Sequence, residues 1–170
     1  MATDHQVNAR EVIEFVERAR AYCAFVESAG VFGSVERLRK AAVLLAELYA
    51  AGLQLPDVEP VDIDEKESKV EHPRLDLGEA ETYWEIFDPY ELSEPVAGSL
   101  ADDLGDVYVD VRRGLALYDT NTGDGRVNAI WDWRFNLHVH WGDHAVDALR
   151  ALQRAIYRAS NDAGSPAQRG

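Results

Sequence analysis

An all-α fold, a single-domain helical bundle of about five helices with an acidic Pro-containing loop between the second and third, is predicted by three observations. Apolar residues recur at helical spacing over most of the chain, no stretch alternates with period two for long enough to make a strand, and prolines with clustered acidic residues gather between Leu55 and Leu77. A chain of 170 residues can bury ~70% of the surface its unfolded form exposes, so it needs no covalent staple. Its single cysteine, Cys23, excludes an internal disulfide framework and a Cys-rich zinc site. Residues 1–160 are expected to form the one domain, and 161–170 a polar, disordered tail.

The first helix is expected over residues 6–29, where Val12, Val16, Ala19, Cys23 and Val26 step by four and three along one face that Ile13, Phe15 and Tyr22 widen. Gly30 reads as its C-cap and Ser34 as the N-cap of a second helix, from about Val35 to Leu53, whose buried stripe is Leu38, Ala41, Leu45, Leu48 and Tyr49. In the segment Leu55 to Leu77, Pro56, Pro60 and Pro73 break regular structure and eight residues are acidic, which predicts a long surface loop. From about Gly78 a short third helix is expected to end near Asp88, because Pro89 disfavours a helical residue before it, with Tyr83, Phe87 and Tyr90 on one side and Trp84 beside them. Aromatics at this spacing are usually core. A fourth helix is expected from about Ser99 to Tyr118, with Ser99 as its cap, and a fifth from about Val127 to Ala159. The intervening Asp119 to Gly125 is a turn, since Ile130 stands where a calcium loop needs its bidentate acid.

Net charge is -14, from 17 basic and 31 acidic side chains, and 19 of the acidic ones lie within residues 41–110. Such a field repels nucleic acid and anionic membrane and attracts a basic protein partner or cations. No stretch approaches the ~18 apolar residues of a membrane span, and the first residues lack the regions of a signal peptide, so a cytoplasmic protein is expected.

Polar groups concentrate on one seam. Projection of the fourth helix at ~100° per residue puts Asp103 and Asp110 at the edge of its apolar arc, with Asp106 further round. In the fifth, Arg134, His140 and His144 fall inside or beside the arc of Ile130, Trp133, Leu137 and Trp141. Antiparallel packing across a short turn would pair Asp110 with Arg134, Asp106 with His140, and Asp103 with His144. A structural reading makes this a network that fixes helix register. A functional one starts from His140 and His144, an i,i+4 pair able to hold one metal ion, with Asp103 and Asp106 completing a mixed site for zinc, manganese or iron. Without metal the same groups could act as general acid and base, although no nucleophile stands beside them. His5 and His72 carry no expected role. Arg150, Arg154 and Arg158 form a basic ladder on the outer face of the last helix, either pairing with the acidic middle segment or forming an interaction surface.

Three stretches carry a family resemblance: Tyr83-Trp84-Glu85-Ile86-Phe87-Asp88-Pro89-Tyr90, then Ser99-Leu100-Ala101-Asp102-Asp103-Leu104-Gly105-Asp106-Val107-Tyr108, then Trp131 through Leu152 with His140-Trp141-Gly142-Asp143-His144-Ala145. Together they resemble the bacterial family catalogued as domain of unknown function number five thousand and sixty-three. The likeness covers nearly the whole chain, including the run Leu55 to Val58. It implies a small cytoplasmic helical domain and brings no reaction, cofactor or substrate. Members of that family carry a longer helical stretch before the Tyr-Trp motif, which here is shortened by Pro73 and Gly78, so the third helix is expected to be brief.

Three functions follow. The first is a non-enzymatic helical protein acting through protein contacts, with the acidic segment and the aromatics around Trp84 and Tyr90 as its surface and no cofactor. The alternative is a metal-dependent, hydrolase-like enzyme with its site at Asp103, Asp106, His140 and His144. A third is a small-ligand pocket beside Trp84, Trp133 and Trp141.

Overall fold

The computed structural model describes residues 9–62 and 69–162. Along them run α1 (Arg10–Ser28), α2 (Ser34–Gly52), β1 (Thr82–Glu85), β2 (Val96–Ser99), α3 (Leu100–Tyr118), α4 (Gly123–Val139) and α5 (Trp141–Asp162), with single 3-10 turns at Ala29–Val31 and Gly78–Ala80. Among the described residues the expected mostly helical bundle forms with five helices, but the count of five stands for compensating reasons. The expected third helix is a β-hairpin, and the expected fifth helix is two. Residues 6–8 of the first expected helix, 63–68 of the acidic loop and 163–170 of the expected tail lie outside the described residues. Asn161 and Asp162, assigned to that tail, belong instead to the last turn of α5.

α1 and α2 form the expected hairpin, and the face Val12, Phe15, Val16, Ala19, Tyr22, Cys23 and Val26 is buried against Leu38, Ala41, Leu45 and Leu48. Ile13 points outward rather than widening that face. The junction differs from expectation. The chain passes through the 3-10 turn at Ala29–Val31, so Gly30 needs no left-handed conformation. Ser34 is the first helical residue, and Gly33 precedes it in extended conformation without a side-chain cap.

The acidic loop is anchored at its start. Leu55 and Val58 insert into the core. Asn128 of α4 accepts from the Val61 N–H at 2.8 Å and donates to the Val61 carbonyl at 2.9 Å, pairing with the loop backbone as a neighbouring strand would. Arg134 donates to the Leu55 carbonyl at 3.1 Å and pairs with Asp57 at 3.4 Å.

β1 and β2 pair antiparallel in the register Thr82↔Ser99, Tyr83↔Gly98, Trp84↔Ala97 and Glu85↔Val96. Thr82, Tyr83 and Trp84 are β-branched or aromatic and suit a pleated surface, and Tyr83 and Glu85 face inward while Trp84 faces out. The short alternation is legible only beside its partner strand. Gly98 is required here: a Cβ on it would lie 2.6 Å from Tyr83 Cζ, so its absence lets the phenol ring cross the sheet toward α3. Ser99 caps α3 as expected, accepting from the Asp102 N–H at 3.1 Å while donating to Glu81 at 2.6 Å.

The core is organised by two tryptophans. Trp133 of α4 donates to the Val111 carbonyl at 3.1 Å, Trp141 of α5 donates to the Trp133 carbonyl at 2.9 Å, and the Phe15 ring lies 4.8 Å from Trp133 and 6.4 Å from Trp141. Tyr22 donates to the Leu104 carbonyl at 2.8 Å, satisfying the one polar atom of a wholly buried phenol. Between α4 and α5 the backbone leaves the helix at His140 (φ -152°, ψ -85°), whose carbonyl accepts from the Asp143 N–H at 3.2 Å to start α5. Gly142 makes the turn feasible, because a Cβ there would lie 1.9 Å from the Leu137 carbonyl oxygen. The four-residue apolar step from Trp133 to Leu137 to Trp141 to Ala145 continues through the break with every member buried, which is why periodicity alone reads one long helix.

A Cβ on Gly114 would meet Trp133 Nε1 at 2.1 Å, whereas one on Gly30 would meet nothing within 4 Å. Gly114→Ala is therefore expected to destabilise the fold by about 1–3 kcal/mol through overpacking. Gly30→Ala is expected to stay within about 0.5 kcal/mol of the parent. Urea unfolding midpoints of the two variants check this; equal midpoints would show that the core yields around Trp133.

Candidate functional site

The expected seam between α3 and the chain after Trp131 exists, and its centre lies at the α4–α5 break. One ligand-type atom each from Asp106, His140 and His144 lies within 4.8 Å of the others. His140 leaves the helical path at the turn while His144 sits one turn into α5, and their rings meet edge-to-face with centroids 4.9 Å apart. The His144 Nε2 atom is 3.5 Å from Asp106 Oδ2.

Beneath these groups lies a second layer of carboxylates. His140 Nδ1 is 2.7 Å from Asp110 Oδ2 and His144 Nδ1 is 2.9 Å from Asp103 Oδ1. Carboxylates only accept, so each Nδ1 carries a hydrogen, and in the neutral ring each Nε2 keeps the lone pair. Asp103 and Asp110 are 6% and 4% exposed, while the two imidazoles and Asp106 reach solvent. Arg113 joins Asp110 (3.2 Å) to Asp132 (3.3 Å), so the buried carboxylate is countered by a guanidinium. The bond to Asp103 raises the affinity of His144 for a proton above the usual histidine range, with burial opposing and the charge of Asp106 adding.

The residues singled out in the sequence are thus partly re-paired. Asp103 meets His144 as expected, but Asp110 meets His140 rather than Arg134, because the break shifts the register of everything beyond Val139. Arg134 faces the other way and anchors the acidic loop. Asp106, expected opposite His140, makes its close contacts with His144 and with His72 Nε2 at 3.6 Å. Asp103 has both oxygens engaged, by His144 and by the Tyr83 hydroxyl at 2.6 Å, which makes it a holder of a ligand-type ring. His72 is the residue missed. Its loop offers no periodicity to place it.

Other expectations change outright. Trp84 is 69% and Tyr90 is 97% exposed and Phe87 is exposed as well, so of the four aromatics expected in the core Tyr83 alone packs against it. Trp133 and Trp141 are wholly buried, and with Trp84 on the outer face of the hairpin the three line no common pocket. Arg150, Arg154 and Arg158 stand exposed, and none has an ion pair among the described residues. Cys23 is buried, and burial pushes its thiol up to about 12, which disfavours the thiolate a nucleophile needs. Among the described residues no helix is long and apolar enough to cross a membrane.

A family profile described as Domain of unknown function (DUF5063) matches residues 6–158. The chain belongs to that family. The whole site, from His72 to His144, lies inside the stretch that defines DUF5063 membership here. The crystal structure of protein BF1032 from Bacteroides fragilis is similar to this DUF5063 chain over 97% of its length and 99% of the other, with a TM-score of 0.77 and 22% identity, a likeness of fold. No curated protein matches the chain.

In this DUF5063 domain the hairpin is wired into the same seam. Tyr83 has one phenolic hydrogen and two carboxylate neighbours, Asp103 at 2.6 Å and Glu85 at 2.9 Å. Burial, then the bond to Asp103, holds its hydroxyl protonated far beyond the ordinary tyrosine range. Glu85 in turn bonds Asp147 of α5, whose carboxyl is raised to about 6 by burial and then by the Glu85 charge and hydrogen bond. A carboxyl that holds its proton more tightly when folded favours the folded state at low pH, and that contribution is lost as pH rises from its unfolded value near ~3.9 through about 6. Asp147→Asn keeps a donor toward Glu85 without titrating. Relative to the parent it is expected to gain about 1 kcal/mol more at pH 7 than at pH 4.5, a figure reduced for solvent screening. Urea unfolding at the two pH values measures the difference, and an equal effect at both would show that Asp147 does not carry this proton.

Proposed function

We propose that this domain binds one divalent first-row metal ion at Asp106, His140 and His144, and that the ion serves hydrolase-like chemistry at the α4–α5 break. The observation that carries this reading is the pair of half-exposed imidazoles, each with Nδ1 held by a buried aspartate. Histidines that ligate metals characteristically donate the other ring N–H to a carboxylate or carbonyl, which fixes tautomer and orientation. A network serving stability alone would gain little from burying two carboxylates to steer rings that remain in contact with water. Two imidazoles and one carboxylate suit zinc, manganese or iron. Three protein ligands leave a position for water, whose proton such an ion makes easier to remove.

The test is metal content of protein purified without a histidine tag and re-equilibrated with zinc, manganese or iron. One ion per chain is expected, lost in His140→Ala and in His144→Ala. Asp103→Asn and Asp110→Asn, which loosen the rings but keep them, are expected to weaken binding by about 10- to 100-fold. A parent that takes up none of the three metals, with variants that are merely less stable, would assign the seam to helix register alone.

A second reading, contact with a basic protein, is favoured by a different observation. Trp84, Phe87, Tyr90 and Leu92 are exposed together in and beyond β1, among Asp88, Glu91 and Glu94. Aromatic side chains bordered by charge are the composition of binding hot spots. A partner co-purifying with the parent is expected to be lost both at high salt and with Trp84→Ala plus Tyr90→Ala, since exposed charge pairs are screened. Retention in that double variant would remove the hairpin from the interface.

A further inference from the structure

His72 and Gly105 are left unexplained by the three-ligand site. His72 belongs to the later part of the acidic loop, where a polar side chain beside Pro73 has no packing reason to sit on α3. Yet its ring lies directly over the helix. A Cβ on Gly105 would fall 2.1 Å from His72 Cε1 and 2.2 Å from Nε2, so the ring occupies the space that the missing side chain of Gly105 leaves. The placement also orients the ring. His72 Nδ1 is 3.1 Å from the Pro73 carbonyl oxygen, which can only accept, so Nδ1 carries a hydrogen and, in the neutral ring, Nε2 keeps the lone pair. That Nε2 faces Asp106 Oδ1 at 3.6 Å, while His144 Nε2 faces Asp106 Oδ2 at 3.5 Å.

Three imidazoles therefore share one arrangement. Each has Nδ1 tied to an oxygen acceptor (Asp110, Asp103 or the Pro73 carbonyl). Two of them flank the carboxylate of Asp106 from opposite oxygens. Ligand atoms on one tetrahedral zinc ion stand roughly 3.3 Å apart, and each Nε2 is near that distance from one of the two Asp106 oxygens, so a rotation of the carboxylate would let one oxygen serve an ion shared with both rings. His72 is outside the 4.8 Å cluster of Asp106, His140 and His144 and sits on an exposed segment, so joining it requires that segment to move inward.

We propose that His72 is the fourth ligand, giving a three-histidine, one-aspartate site, and that the ion fixes the segment around His72 on α3. This rests on the metal reading above and extends it. Gly105 is then a positioning residue, present so that a ring from the loop can lie on the helix. Four protein ligands saturate a tetrahedral ion, so the loop would govern whether a coordination position is open to water or to substrate.

The experiment uses cobalt(II) as a spectroscopic substitute for zinc, titrated into the full chain, with X-ray absorption to count imidazoles. The parent is expected to bind one cobalt ion with three imidazoles and the intense visible bands of a four-coordinate centre. His72→Ala is expected to bind with two imidazoles and more than about 100-fold more weakly, beyond the loss typical of an outer-shell partner. Gly105→Ala removes no ligand and favours the helix, yet its new methyl group displaces the His72 ring, so it is expected to reproduce the two-imidazole spectrum while circular dichroism stays that of the parent. Unchanged affinity and spectrum in His72→Ala, with cobalt still bound by the parent, would overturn the fourth ligand and leave the three-residue site standing. A parent that binds no cobalt would overturn both.

Discussion

The α4–α5 turn is the constraint on which the rest of this molecule depends. Gly142 is packed so closely under the Leu137 carbonyl that no side chain fits, and around it the chain ends one helix and begins the next within two residues. An unbroken helix would keep His140 and His144 stacked on one face at regular spacing. The break instead swings His140 out toward Asp110 while the buried apolar row passes through Trp141 without interruption. Core and site are decoupled at this point: Trp141 goes in, and His140 next to it goes out.

The legible part of the fold was what apolar periodicity can report. The α1–α2 hairpin, the stripe of α3 and the buried row from Ile130 to Leu152 all follow from spacings of three and four. What periodicity hides is a turn that preserves it. Gly142 was the available signal, a lone glycine in a helical pattern whose packing reason only neighbouring backbone reveals. The hairpin was hidden differently, because Glu79, Ala80 and Glu81 favour a helix locally and the pairing of Tyr83 with Gly98 is a contact across fifteen positions that no local propensity contains.

The candidate site was half legible for similar reasons. Asp103, Asp106, His140 and His144 could be brought together from the helical projection of two antiparallel partners, and they do meet. Their division of labour could not be read, since which carboxylate faces an Nδ1 and which faces an Nε2 depends on ring rotation and on a register displaced by the break. Arg134, upstream of the break, departs for a different reason: it lies on the side of α4 that faces the acidic loop, and reaches the backbone of Leu55 rather than Asp110. Residues from loops, such as His72, have no periodic frame at all. The localised acidity also takes on two meanings, with Asp103 and Asp110 buried as internal supports and the carboxylates around Tyr90 left as solvated charge.

The hydroxyl of Tyr83 has a consequence of its own. One hydrogen serves two carboxylates, so Asp103 and Glu85 compete for it, and Asp103 is the group that sets the basicity of His144. Thermodynamic reciprocity then makes the outer hairpin and the inner seam a linked pair: a cation or a basic side chain that neutralises Glu85 frees the phenol for Asp103, and anything that engages His144 shifts the balance back toward Glu85. The surface strand thereby has an energetic line to the helix break that requires no movement of the backbone.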